Sequence, residues 1–184
     1  MTEIRTLLNL DRWTDLNCSA GGFTALGRPD IAPRAVDISV NKPLDPTNLK
    51  ELVKFARPVP RAPIEELFGL CNGVMVGRYV FNVFGVLDKT GGGGHAHIPL
   101  DTNVPNLYGR PEELDEELLI LAKSTEITAP SGKSSNFFHF IDTFGKISVS
   151  DSENLLKPVR TFDDVTKWLC SEFERAVSGF EASG

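Results

Sequence analysis

The clearest helical pattern in the chain lies near its C-terminal end. Apolar residues recur there at spacings of three and four, which is the period of one helix face. The stripe consists of Val165, Trp168, Leu169, Phe173, Ala176 and Val177. Thr161 and Asp164 precede this stripe in an arrangement that resembles a capping box. We therefore predict a C-terminal helix that docks its apolar stripe on a sheet.

Two earlier segments also have helical spacing. The first is predicted for residues 46–57, after Asp45, because Asp is a good N-cap and Pro is well tolerated at the first helical position. The second is predicted from Pro63 to the Asn-Gly pair that ends at Gly73, a residue suited to a left-handed C-terminal position. Its apolar positions repeat at i, i+3, i+4 and i+7 and are Ile64, Leu67, Phe68 and Cys71.

Residues 58–63 (PVPRAP) join these two helices. Pro60 and Pro63 have the PxxP spacing of an adaptor ligand, which would require an exposed and extended segment. We favour a stiff connection between helices, because two helical patterns flank the segment directly.

The predicted strands lie mostly in the second half of the chain. Residues 78–87 (RYVFNVFGVL) are β-branched and aromatic on both faces, which is typical of a central strand. Residues 118–122 form a short buried strand, and residues 137–142 and 146–150 form a hairpin. We therefore expect an α+β fold, with a mainly antiparallel sheet and helices near the N-terminal and C-terminal parts of the core.

The first 45 residues differ in composition from the rest. They are rich in Gly and Pro and have only short apolar runs, so most of them are expected to be loop around the main body. Residues 34–41 alternate in polarity and are a candidate short strand. The predicted organisation is an N-terminal extension (1–45), one α+β domain (46–178) and a short tail (179–184).

Composition adds a class of partner to this outline. The chain has 184 residues, and its 25 acidic and 19 basic side chains give a formal net charge of −6. This balance works against binding to a nucleic-acid backbone and favours basic protein partners. Cys18, Cys71 and Cys170 are too few and too scattered for a disulfide framework. With no secretory pattern and no apolar run of membrane-spanning length, a cytoplasmic location is expected, with no membrane association.

His95 and His97 are the best candidates for a metal site. In a strand, an H-x-H pair points both imidazoles to one face, and an acid such as Asp101 would complete a site for a metal-assisted hydrolase. The pair follows four consecutive glycines, however, and a flexible loop holds ligands poorly. We therefore expect exposed loop histidines and no metal.

The other reactive residues form no catalytic arrangement in the sequence. The glycine run 91–94 lacks the frame of a phosphate-binding loop, so no nucleotide or other cofactor is expected. Ser131, Ser134 and Ser135 lie in a polar turn without the GxSxG context of a nucleophilic serine. The chain is therefore expected to bind a partner and not to be an enzyme.

The candidate binding surface is the most acidic stretch of the chain. Residues 112–117 (EELDEE) are expected to be exposed beside the glycine-rich loop 91–97. The residues predicted to contact a protein partner are Glu112, Glu113, Asp115, Glu116, Glu117, His95 and His97. Such a surface would attract a basic protein.

The order of several short motifs resembles the SUKH superfamily, the Smi/Knr-type domains. Residues 63–73 (PIEELFGLCNG) are similar to that family's helix end, which closes on N-G, and residues 81–85 (FNVFG) to its following strand. The later motifs are 118–122 (LLILA), then F-x-D at 140–142 with G-x-I at 145–147, and a closing helix start at 161–169 (TFDDVTKWL). The resemblance covers residues 46–178. Two segments, 90–117 and 125–136, are longer here than in the family.

This resemblance implies a binding scaffold. Many bacterial members resemble immunity proteins, which neutralise a cognate toxin that is often a nuclease or a deaminase. Eukaryotic relatives resemble regulators of cell-wall synthesis and signalling, so a regulatory or adaptor role is the alternative. The family has no shared catalytic set, which agrees with the separate search of the residues above.

Overall fold

The computed structural model describes most of the chain. The described residues are 2–10, 13–18, 23–27, 38–45, 58–77, 80–86, 101–128 and 133–182. Within them the fold is α+β, as predicted: helices pack on a nine-stranded sheet in which every strand pair is antiparallel.

The helices of the described residues lie at both ends of the chain and between the third and fourth strands. They are α1 (Thr2–Leu7), α2 (Arg61–Leu70) and α3 (Val165–Ala182), with a π-helical turn at Val104–Tyr108. The strands are β1 (Thr14–Cys18), β2 (Phe23–Gly27), β3 (Ile38–Asn41), β4 (Val74–Val76), β5 (Phe81–Val83), β6 (Leu119–Thr128), β7 (Lys133–Ile141), β8 (Ile147–Asp151) and β9 (Pro158–Phe162). Each strand pairs with the next one along the chain, so the spatial order is β1 to β9 without a crossover.

One side of the sheet, the helix face, carries the main core. Helix α3 packs there against strands β4, β5, β6 and β9 and against α2. Trp168, Phe173 and Phe81 are among its largest fully buried side chains. Since neighbouring residues of a strand point to opposite sides, the alternate positions face away from α3. We call that side the open face.

The open face has its own smaller core. Phe84, Leu114, Ile120, Phe140 and Leu155 form a buried cluster there. Leu114 lies in the predicted acidic stretch, so part of that stretch covers this side of the sheet. The two clusters make the sheet the middle layer of the domain.

The predicted C-terminal helix is confirmed, but its cap differs from the expected one. Asp164 accepts a hydrogen bond from the Lys167 backbone N–H at 2.6 Å, which is the geometry of an N-cap. Thr161 lies instead in β9, opposite Ser148. The predicted capping box is therefore wrong, because the strand continues to Phe162 and leaves Asp164 as the cap.

Helix α2 is also confirmed, and it begins at Arg61, two residues before Pro63. The linker therefore does not extend as a PxxP ligand would: Val59 is buried, and Pro63 already lies in the helix. Gly73 has φ +96°, the positive region expected for it. The helix predicted for 46–57 lies outside the described residues.

Among the strands, the 137–150 hairpin is confirmed by β7 and β8, which are joined through Gly145 at φ +86°. The strand predicted for 78–87 is shorter, because in the described part only Phe81–Val83 pair on both sides. Strand β4, which precedes a turn at Gly77 with φ +56°, was not predicted. Strand β6 is twice as long as the predicted 118–122 segment and runs ten residues.

The prediction of loop for most of residues 1–45 is wrong in the described part. This region contains α1 and strands β1 and β2, which were not predicted, while β3 confirms the described part of the candidate strand at 34–41; the three strands continue the sheet from β4. Ile4, Leu8, Leu10 and Trp13 belong to the main core cluster. The N-terminal region is thus built into the same sheet and core, although the boundary at residue 45 stays a prediction. No described helix is long and apolar enough to cross a membrane.

Candidate functional site

The acidic stretch follows directly on the π-helical turn, and Asn106 fixes that turn against the sheet. The Asn106 side chain donates to the Ile120 carbonyl at 2.9 Å and accepts from the Ile120 N–H at 2.8 Å. It therefore bonds the backbone of β6 as a neighbouring strand would, just beyond the register where β5 ends. A third bond, to the Thr102 carbonyl at 2.8 Å, ties the start of the turn.

The Arg110 side chain anchors the acidic stretch through hydrogen bonds to its backbone. Its guanidinium donates to the carbonyls of Asp115 and Leu118, the latter at 2.9 Å. Burial lowers the pKa of Arg110, against the opposing effect of the Asp115 and Glu116 carboxylates. An always-charged fork with fixed geometry suits this role, because it binds several backbone oxygens at once.

Leu114 and two turn bonds complete the support of the stretch. The Leu114 side chain is 4% exposed and packs into the open-face core. The Glu117 N–H donates to Asp115 Oδ1 at 2.9 Å, and the Leu118 N–H donates to the Asp115 carbonyl at 3.0 Å. The backbone of the stretch is thus fixed, and the Asp115 carboxylate is one of the groups that fix it.

All five predicted carboxylates lie in exposed positions. These are Glu112, Glu113, Asp115, Glu116 and Glu117. Just before them in the chain, the π-helical turn exposes Tyr108 by 84% and Val104 and Leu107 by 55% each. We call these eight residues the acidic–apolar surface. It combines negative charge with an apolar patch, which on monomeric proteins often marks an interaction site.

The apolar half of this surface was missed from the sequence. Tyr108 is one of only two tyrosines in the chain, whereas the twelve phenylalanines favour a ring-filled core. The available signal was the run 104–108 (VPNLY), a short apolar segment just before an acidic one. Amphipathic aromatic residues such as Tyr are enriched at interfaces.

His95 and His97 lie outside the described residues. The proposed third ligand, Asp101, uses Oδ1 to accept from the Asn103 N–H at 2.9 Å and from Asn103 Nδ2 at 3.0 Å. In the part of the chain that the structure describes, no three His, Cys, Asp or Glu side chains are grouped as a metal site would require. The metal hypothesis therefore has no support from the described residues.

His139 is buried in the main core, and both of its ring nitrogens have partners. Trp168 Nε1 donates to His139 Nδ1 at 3.0 Å, so the proton sits on Nε2, which lies 2.8 Å from Ser124 Oγ. Burial, followed by the positive charge of Arg160, lowers the pKa of His139 to about 3. The ring is therefore neutral, and its 4.0 Å approach to Glu172 is not an ion pair. It is a core residue without a free nitrogen for a ligand.

A second ionisable cluster surrounds Glu172 on the helix face. Arg160 donates to both Glu172 oxygens, at 2.9 and 3.1 Å, and also to Glu126 at 2.8 Å. Burial raises the pKa of Glu172, and the bonds and charge of Arg160 oppose this rise. Arg160 links β9 to both α3 and β6, so this network joins elements of the fold and offers no unpaired carboxylate.

Cys71 was assigned to the core and lies there. Its side chain is fully buried, and burial raises the pKa of its thiol to about 12. Because the thiolate is the nucleophilic form, this cysteine is unreactive in the folded chain.

Comparison with known proteins finds no relative of this chain. No model of a protein family, no curated protein and no solved structure matches the chain.

Proposed function

We propose that the chain is a non-catalytic binding domain of the cytoplasm that neutralises a basic toxin domain, a nuclease or a deaminase, by covering it. The observation that carries the proposal is the acidic–apolar surface: five exposed carboxylates beside an exposed Tyr and two exposed aliphatic side chains. The SUKH-like order of sequence motifs supports the same function.

The two halves of the surface have different physical roles in this proposal. Carboxylates at the rim attract a basic cleft over several ångströms and raise the association rate, which is sensitive to salt. Tyr108 and Leu107 supply apolar area that leaves water on contact and slows dissociation. Because Arg110 and Leu114 already fix the backbone, little ordering of the segment is needed on binding.

The charged half is tested by reversing three of the five carboxylates. The variant Glu112→Lys/Glu113→Lys/Glu116→Lys should slow association with the partner by ~10-fold or more at low salt, and the difference should shrink as salt rises. The matched control reverses three exposed acids elsewhere, Glu3, Asp163 and Glu174. Association is measured by stopped-flow or surface plasmon resonance, and an equal effect of both triple variants would remove this surface from consideration.

The apolar half is tested by Tyr108→Ala. Since the ring is 84% exposed, its loss should leave the free energy of unfolding almost unchanged. Affinity for the partner should fall by about 2 kcal/mol, mainly through faster dissociation. Phe144→Ala is the control, because Phe144 is also exposed, by 91%, in the turn between β7 and β8. Equal dissociation rates for Tyr108→Ala and the unmodified chain would contradict the assignment.

The partner itself is found by pull-down from native lysate, with the product of the neighbouring gene tested first. A toxin is distinguished from a regulatory partner by its activity. In the first case, nuclease or deaminase turnover stops at one equivalent of the chain. A regulatory scaffold of the Smi/Knr type would bind without abolishing a toxic activity.

A further inference from the structure

The open face of the sheet contains a cavity of about 350 Å³ that is separate from the acidic–apolar surface. It lies over the central strands β5, β6 and β7. Phe84 and Phe138 form apolar walls, and Asn82, Lys123, Thr125 and Ser152 supply polar groups. Its volume is at the lower end of the range, about 300–1,000 Å³, that is usual for small-molecule pockets.

Asn82 is the first sign that the cavity is built for a ligand. The residue is only 3% exposed, and its Oδ1 has no hydrogen-bond partner among the described residues. Buried polar side chains are nearly always hydrogen-bonded in folded proteins. An acceptor without a described partner in the wall of a cavity can accept from a ligand's donor when the Asn82 amide turns toward the cavity.

Lys123 is the second sign. It pairs with Asn82 across the β5–β6 ladder, so both side chains stand on the same side of the sheet. Its ammonium lies 4.5 Å from the centre of the Phe138 ring, and burial lowers its pKa. No carboxylate of the described residues forms an ion pair with it. A half-buried cation without a counter-ion favours a bound anion.

We propose that this cavity binds a small organic carboxylate with a ring and a hydrogen-bond donor, such as a hydroxyl group. The carboxylate pairs with the Lys123 ammonium, the ring lies against Phe84 and Phe138, and the hydroxyl donates to Asn82 Oδ1. Lys123 is the one cation among the residues named in the wall, which suits a monoanion better than a phosphate. The site does not depend on the proposed toxin partner, since it uses none of the acidic–apolar surface.

The test is a titration of the isotope-labelled full chain with 4-hydroxybenzoate, followed by backbone amide shifts in NMR spectra. Saturable shifts are expected around positions 82, 123 and 138, with a Kd of about 1 mM for so small a ligand. The uncharged 4-hydroxybenzamide should bind ~10-fold more weakly, because it lacks the charge that Lys123 recognises. This comparison uses the unmodified chain and so does not depend on how any variant folds.

Two variants locate the charge recognition in the chain. Lys123→Met should weaken 4-hydroxybenzoate binding by about 10-fold or more while leaving the weak amide binding unchanged. Lys146→Met, at an exposed position beside the β7–β8 turn, should have no effect. The proposal is overturned if no saturable shift is seen, if the shifts lie elsewhere, if acid and amide bind equally, or if Lys123→Met binds the acid unchanged.

Discussion

His139 holds a single tautomer because Trp168 and Ser124 fix its two ring nitrogens. The identity of the residue could not reveal this. A histidine between two phenylalanines on a strand is read equally well as buried or exposed. The burial and the tautomer of His139 depend on β6 and α3, which bring a hydroxyl and an indole N–H to the ring from distant parts of the sequence. Sequence patterns do not contain such pairings.

The neutral state of His139 predicts a loss of stability in acid. Its pKa is about 3 in the fold against an ordinary 6.5, so between these values the unfolded chain binds more protons. The free energy of unfolding should therefore fall as pH drops below 6.5, by up to about 1.4 kcal/mol per pH unit. Between pH 7.5 and 5.0 the loss from this group should be about 2 kcal/mol. Urea denaturation at the two pH values measures it.

His139→Gln is the control for that measurement, because it removes the titrating ring but retains an amide that can accept from Trp168. The raised pKa of Glu172 acts in the opposite direction, since the folded chain then takes up a proton more readily than the unfolded one. Glu172 is present in both proteins, so the difference in their pH dependence isolates His139. If both lose equal stability between the two pH values, the ring is not neutral in the fold.

Helix α3 is the element whose sequence specified its structure most directly. All six residues of its predicted stripe are buried. A helix that packs one face on a sheet must repeat its apolar residues at the helical period, so the spacing alone identifies the buried residues. Strand β1 (TDLNC) lacks a clear alternation, and its place depends on pairing with β2. Pairing partners, unlike periodicity, are not a local property, and β1 was therefore missed.

The N-cap of α3 gives a prediction at the same scale. Asp164→Ala should lower the free energy of unfolding by about 1 kcal/mol, because the Lys167 N–H loses its acceptor. Thr161→Ala should change it by less than about 0.5 kcal/mol, because Thr161 is exposed in β9. Thermal or urea denaturation compares the two variants. Equal losses of unfolding free energy in the two variants would mean that Thr161 and Asp164 both cap the helix, as the sequence predicted.

At the scale of the whole molecule, the sheet unites regions that the sequence appeared to separate. The Gly- and Pro-rich texture of residues 1–45 predicted an extension, yet β3 pairs with β4 and Trp13 shares the main core. The candidate sites were likewise only partly predictable from the sequence. The five carboxylates of the acidic–apolar surface are contiguous in the sequence, so they were predicted. The cavity draws on β5, β6 and β7, and only the folded sheet brings these together.

Deletion of residues 1–45 tests whether 46–178 is a domain by itself. The shortened chain loses Ile4, Leu8, Leu10 and Trp13 from the core, each contributing about 1.5–3 kcal/mol. That sum is comparable to the whole stability of a typical domain, about 5–15 kcal/mol. We expect an unfolded or aggregated product by circular dichroism and size-exclusion chromatography. Removal of residues 1–3 leaves these side chains in place and is the control, and a folded monomer starting at residue 46 would support the boundary at 45.

The crossover-free sheet has a consequence for synthesis of the chain. Each strand can pair with the one made just before it, so the sheet can grow from β1 toward β9 as the chain leaves the ribosome. Helix α3 follows β9, so until it emerges the helix-face side chains of β5 and β6 lack the part of their core that Trp168 and Phe173 supply. A nascent chain that pairs its strands in this order passes through a stage with a formed sheet and an incomplete core. Any chaperone that binds apolar surface on such an intermediate competes with Trp168 and Phe173, because these side chains cover that surface in the finished fold.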